Sequence, residues 1–239
     1  MTTDNRMPTP MPRVSQSQTW LGRNLQGLRD FGFEHFLRVL SHLLPYWLFN
    51  YNHAIMYVAD NLSPDVPPNP ECKIRFAVEA DAEAAIAVKM DRELFLKRIR
   101  RGDTCGVVTQ RERIVCMMWA STHRIFSPLT GSILDPGSNG VYFYHLYTLP
   151  EERGKGLTRL CYRIQADHYR SLGRTIVYTG VETYNTASHS LVKKFGFWRE
   201  GETIKFVFLG ITVCWYRSWP HPKRRFHIFF RMPTDIEWA

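Results

Sequence analysis

His145-Leu-Tyr-Thr-Leu-Pro-Glu-Glu-Arg-Gly-Lys-Gly-Leu-Thr158 is the stretch on which the fold turns. Its first residues are apolar, β-branched and aromatic, the composition of a strand. Pro150 turns the chain into a basic, glycine-bearing loop. A helix follows, because Leu157, Leu160, Cys161, Ile164, His168 and Leu172 recur at three- and four-residue steps until Gly173 stops them. A strand feeding such a loop at a helix N-terminus binds phosphate. Unpaired backbone N–H groups and the helix dipole converge there on an anion.

Two nucleotide patterns fail on this stretch. A Walker A loop needs G-x-x-x-x-G-K-[ST], and here Lys155 is followed by Gly156. The dinucleotide fingerprint G-x-G-x-x-G fails because Arg159 occupies its third glycine position. Downstream, Thr175 to Val181 reads as a buried strand. Next comes Asn185-Thr-Ala-Ser-His-Ser-Leu-Val-Lys-Lys-Phe-Gly-Phe197, with a helix from Ala187 to Lys194 ended by Gly196. Strands at Lys205–Leu209 and Ile211–Tyr216 close this half.

Upstream, Lys73 to Val78 reads as a strand, and Ala80–Val88 and Asp91–Arg100 as helices. Cys105–Thr109 and Arg113–Ser121 form a hairpin about a short turn. Ser127 to Gly140 is a long loop, the kind that often serves as a substrate lid. Val141 to Leu149 is the strand that enters the opening stretch.

Arg153 and Gly156 match [RQ]-x-x-G-x-[GA], with Thr158 aligned at its last position, and Asn185, Ser188, Lys194, Gly196 and Phe197 match N-x-x-[AS] followed by [KR]-x-G-F. Taken with the element order, residues 73–216 resemble the GNAT acyltransferase superfamily. The resemblance implies a mixed α/β fold. Its central sheet would be mostly antiparallel, with two parallel strands splayed apart around a thioester. It implies acetyl-CoA as co-substrate, an amine acceptor, direct transfer and no metal. Gly154 and Gly156 let backbone approach the donor closely. The amides of Gly154, Gly156, Leu157 and Thr158 would face the pyrophosphate, with Arg153 and Lys155 adding charge. Leu146, Tyr147 and Thr148 would pair with the pantetheine arm, and Asn185 and Ser188 complete the donor site. Glu182 and His145 are the candidate bases. Relatives often carry an acidic Tyr four residues before the Gly of the G-F pair; Val192 stands there, so either Tyr184 substitutes or the thiolate leaves without help. Thr158 also departs from the family's Gly or Ala. Two other readings stay open: a longer acyl-CoA or acyl carrier protein donor, and a non-catalytic GNAT-like binding module.

The flanks divide the chain. Residues 1–18 read as disordered, 19–62 as a helical N-terminal extension, 63–71 as a proline-rich linker, 72–216 as the GNAT domain and 217–239 as a basic, aromatic tail. In the extension, Leu21, Leu25, Leu28, Phe36, Leu37, Leu40, Leu43 and Leu44 hold helical spacing, Gly32 breaks the run, and Ala54–Val58 has strand character. Tyr46, Trp47 and Phe49 suggest peripheral membrane contact, and the extension's apolar face could instead pack on the main domain or on a second subunit in a homodimer. The most apolar window, Val39–Ala59, is interrupted by His42, Pro45, Asn50, Asn52 and His53, which argues against a membrane span.

The net charge of +9 favours an anionic partner such as a phosphorylated donor. No helix-turn-helix, zinc-finger or RNA-recognition pattern accompanies it, so nucleic acid is not expected. The five cysteines are scattered, without C-x-x-C, which argues against a disulfide scaffold or zinc site and points to a reducing, cytoplasmic setting.

Overall fold

A computed structural model describes residues 20–60, 62, 71–127, 132–218 and 224–229. The expected disordered segment 1–18, nearly all of the 63–71 linker and most of the tail lie outside the described residues.

Eleven strands and five helices are described. The main sheet runs β11 (Arg224–Phe229), β10 (Ile211–Ser218), β9 (Trp198–Phe208), β1 (Phe49–Asp60), β8 (Ile176–Glu182), β7 (Gly140–Thr148), β4 (Arg113–Ser121), β3 (Thr104–Gln110) and β2 (Lys73–Phe76). Every described neighbouring pair is antiparallel except β7 and β8. This is the mixed, mostly antiparallel sheet expected. At the start of the 127–140 loop, Ile125–Ser127 (β5), which leads into it, and Ser132–Leu134 (β6) pair as a small separate ribbon.

β1 runs through the middle of the sheet. Ala54 to Asp60 pair with β8 on one side, and Phe49 to Val58 pair with β9 on the other. The residues expected as a helical extension thus supply a helix and then a central strand. The strand is longer than Ala54–Val58 because the polar residues before Ala54 pair only with β9 and face α1.

α1 (Trp20–Leu43) has non-helical backbone at Gly32 (φ 56°, ψ −136°), the break its glycine allows. The 79–88 segment is not one helix. It is the four-residue α2 (Ala82–Ala85) between two 3₁₀ turns, closed by Lys89 in the left-handed region. α3 (Arg92–Arg101) starts at Asp91, whose carboxylate accepts from Leu94 N–H at 2.8 Å. Such a cap stabilises a helix by about 1 kcal/mol.

α4 (Leu157–Ser171) and α5 (Thr186–Lys194) complete the set. α4 packs on β3, β4 and β7 and fills one face: Gly106 lets Ile164 and Gln165 approach, and Phe143 meets Tyr162 at 5.8 Å. On the other face, fully buried Phe95 of α3 meets Trp119 edge-on at 5.2 Å. No described helix is long and apolar enough to cross a membrane.

Candidate active site

The parallel pair β7–β8 positions the site. Its register runs from Gly140↔Ile176 to Phe143↔Thr179 and then stops. β7 continues to Thr148 and β8 to Glu182 without pairing, so the two strands splay at their C-terminal ends. The opening has a local cause on β7. Against β4, Trp119 pairs with Tyr144 but Met117 pairs with Tyr147, so an extra residue bulges out. His145, at the bulge, has φ 48°.

The loop after β7 is shaped as a cradle. Gly154 (φ 81°) and Gly156 (φ 76°) are left-handed, and a Cβ on either would meet open space. That space lies at the start of α4, whose first amides have no intrahelical acceptor. Arg153 and Lys155 are exposed; Arg153 Nε donates to the Thr148 carbonyl at 3.3 Å, and Lys155 pairs with Glu152 at 2.8 Å. A diphosphate fits here by charge and by space. Thr158, the departure from the family pattern, turns its hydroxyl back to Thr148 Oγ1 at 3.3 Å. It ties the first turn of α4 to the end of β7.

Leu146, Tyr147 and Thr148 lie on the free arm of β7, past the last β8 pair. Asn185 caps α5, its Oδ1 accepting from Ser188 N–H at 3.1 Å, next to the other arm of the splay. Val192 is buried in the core, with no hydroxyl to offer.

Glu182 ends β8. Asn52 Nδ2 donates to its Oε1 at 2.6 Å, and the Tyr184 hydroxyl donates to its Oε2. Burial and the adjacent Glu182 carboxylate push the Tyr184 phenol well up, so it stays protonated at neutral pH. His145 lies on the opposite arm. Its side chain reaches solvent at the bulge while its ring is backed by dense packing. Burial first, then the Arg98 charge, lowers its pKa to about 4, which leaves it neutral at pH 7. Glu182 and Tyr184 are therefore brought together, and His145 stands apart from them.

Beside Glu182 lies a cavity of about 140 Å³ between α1 and β1. Glu34, Arg38 and Ser41 of α1 line it with Asn50, Asn52 and His53 of β1 and with Glu182 and Tyr184. The sequence reading did not assign these α1 and β1 residues to the site. The available signal was the polar run Asn50-Tyr-Asn-His53, out of place in a central strand. Glu34 holds the wall together, pairing with His53 Nδ1 at 3.2 Å and accepting from the Thr183 hydroxyl. Burial alone would raise Glu34, but the bonds from His53 and Thr183 outweigh it and hold its pKa below the usual value. Burial alone would lower His53, and Glu34 reverses that too. Lys205, opposite Asn52 on β9, is buried, and burial lowers its pKa to about 8.

Under the β7 arm, Asp103 accepts from the Tyr144 hydroxyl at 2.5 Å and from Arg101 Nε at 3.0 Å. Arg98, also buried, stacks on Tyr144 and Trp119 at 4.8 and 5.3 Å. This network fixes Tyr144 where the splay begins. No group of residues suited to a metal ion occurs among the described residues.

No curated protein matches the chain significantly. Among solved structures it is similar to a GNAT-family protein from Novosphingobium aromaticivorans, with 17% identity and TM-score 0.47, covering 65% of this chain and 63% of that one. A Drosophila protein is similar at 16% identity and TM-score 0.49, over 77% and 58% of the two chains. A ribosomal-protein-alanine N-acetyltransferase from Brucella melitensis is similar at 22% identity and TM-score 0.45, over 56% and 88%. The chain thus spans less than two thirds of the length of the first two. The family model described as the acetyltransferase (GNAT) family matches residues 74–197, just over half of the sequence, and the chain belongs to that family.

Proposed function

We propose that the protein is an acetyl-CoA-dependent N-acetyltransferase working by direct transfer to an amine. The observation that carries this reading is the splay of β7 from β8, flanked by the glycine cradle on one arm and Glu182 on the other. The amides of Gly154, Gly156, Leu157 and Thr158 hold the donor's pyrophosphate, with Arg153 and Lys155 in support. Leu146, Tyr147 and Thr148 hold its pantetheine arm as a strand would, and Asn185 and Ser188 close the far side.

Acetyl-CoA supplies an acyl carbon open to attack. Glu182 orients the acceptor ammonium and takes one proton from it, either directly or through a water. The freed amine forms the C–N bond while the C–S bond breaks. The surplus second proton on the nitrogen passes to the departing thiolate, and acetylated amine and free CoA leave. Tyr184 and Asn52 fix the two Glu182 oxygens throughout. His145, whose proton affinity is low, borders the site without serving as base.

The test is calorimetric titration with acetyl-CoA followed by thiol release over amino acids, polyamines, aminosugars and peptides. Binding with release supports the reading. Absence of binding by the folded protein refutes it. Binding with no release across the panel selects a non-catalytic module, and faster release from longer acyl-CoAs selects a different donor.

A membrane contact is favoured by one observation. Trp47 and Leu48 accept backbone bonds from Gly210 and Leu209, which joins exposed Leu43, Tyr46 and Trp47 to exposed Phe208, Leu209 and Ile211. With a net charge of +9, the fitting occupant is an anionic lipid surface. Sedimentation with anionic liposomes at low salt tests it, and a protein left wholly in the supernatant refutes it.

A further inference from the structure

We infer that the cavity between α1 and β1 is the acceptor pocket, and that it selects a small amine that also carries a carboxylate, an amino acid or close relative. The inference rests on the acetyltransferase reading and names the acceptor class for it. Topology places the pocket correctly. β8 has the splay on its β7 side and the cavity on its β1 side, and Glu182, at the strand's end, borders both.

The charges in the pocket are divided in a way that suits a zwitterion. Glu34 and Arg38 are four residues apart on α1, a spacing at which they would ordinarily pair. Glu34 is instead turned to His53 and Thr183. Arg38 is left stacked 3.9 Å over the Tyr184 ring, with Nη2 donating to His35 Nδ1 at 3.0 Å. Among the described residues no carboxylate lies within ion-pair distance of it. Its guanidinium therefore has donors to spare beside the cavity.

The opposite charge is one ring away. Tyr184 carries Arg38 on its face and bonds Glu182 through its hydroxyl. Each Glu182 oxygen accepts one bond and can accept another. A ligand with an ammonium on Glu182 and a carboxylate on Arg38 satisfies both, and its nitrogen then faces the splay. The volume limits its size. A cavity of 140 Å³ is close to that which accommodates benzene, so about six non-hydrogen atoms fit in its interior.

The experiment compares matched acceptors: an α-amino acid, its carboxamide and the corresponding amine without the carboxylate. Each is titrated calorimetrically into the apo protein and then assayed with acetyl-CoA, on wild type, Arg38→Gln and Arg38→Lys. The amino acid should bind and react best on wild type. Arg38→Gln should weaken its binding and raise its KM about 10- to 100-fold, the scale of one lost charge-assisted pair, while amide and amine change little. Arg38→Lys should recover part of the preference, and acetyl-CoA binding should be unaltered in both variants. An acid-to-amide ratio unchanged by Arg38→Gln overturns the inference, as does wild type binding the amide or amine as well as the acid. Failure of any amino acid to bind overturns it too. Loss of acetyl-CoA binding by wild type instead refutes the acetyltransferase reading, which the donor titration detects separately.

Discussion

Replacing Gly156 with alanine should separate the fold's need for glycine from the ligand's need for it. Gly156 sits at φ 76°, ψ 5°, where an L-residue is disfavoured by about 1–2 kcal/mol. The new Cβ would have no protein atom within 4 Å, so no packing clash adds to that strain. At about 2–4 °C per kcal/mol for a domain of this size, Tm should fall by roughly 2–8 °C. Donor binding should suffer as well, because the methyl occupies the space into which the pyrophosphate must settle. Overpacking of that kind costs about 1–3 kcal/mol, so acetyl-CoA affinity should fall about 5- to 150-fold beyond any unfolding. Gly173→Ala is the matched control. Its glycine has φ 77°, its Cβ would also meet open space, and it lies beyond the far end of α4. Differential scanning calorimetry and titration calorimetry on both variants read the two effects. Equal stability losses with a selective binding loss in Gly156→Ala are expected. Equal affinity in both variants would show that the pyrophosphate does not lie over Gly156.

Three further outcomes follow from buried charges. Asp103 sits between Arg101 and Tyr144 with Arg98 close by, so Asp103→Asn strands buried cations and should destabilise by about 3–5 kcal/mol in urea unfolding. Lys205 has its proton affinity lowered from 10.5 to about 8, so the unfolded chain holds that proton more firmly and stability should rise with pH between those values. Lys205→Met should remove that slope and gain up to about 3 kcal/mol at pH 7, measured by denaturation at several pH values. The Glu34–His53 pair behaves oppositely at its two ends. The raised His53 contributes below 6.5 and is lost as pH rises through its folded value; the lowered Glu34 contributes above 4.5 and is lost as pH falls through its own. Amide protection in α1, taken relative to the intrinsic exchange rate at each pH, should therefore be greatest between these pH values, and His53→Asn should flatten the profile.

Much of this architecture was legible because its signals are local. The Cys105–Ser121 hairpin, the stripe from Leu157 to Leu172 and the glycines at 154 and 156 each declare themselves within a few residues. Glu182 and Tyr184 could be named because they follow a short apolar strand at its C-terminal end. The position of β1 was not legible. Pairing of Ala54 with both Glu182 and Thr203 spans well over a hundred residues, and antiparallel ladders leave no mark of their partner in the sequence. The same distance hid Glu34 and Arg38, whose contacts with Thr183 and Tyr184 exist only once α1 lies against the end of β8. Thr158 stands out in the sequence as a departure from Gly or Ala, but the contact of its hydroxyl with Thr148 shows only in the fold. The Ala80–Val88 run has helical spacing, but it closes in 3₁₀ turns with a left-handed Lys89.

Thiol release from acetyl-CoA, followed with simultaneous detection of the N-acetylated product, tests the central claim most directly. With small amino acids as acceptors, one thiol should appear per acetylated amine, and Glu182→Gln should slow release while leaving acetyl-CoA binding intact. Tight acetyl-CoA binding with no acceptor-dependent thiol over the whole amine panel would contradict it.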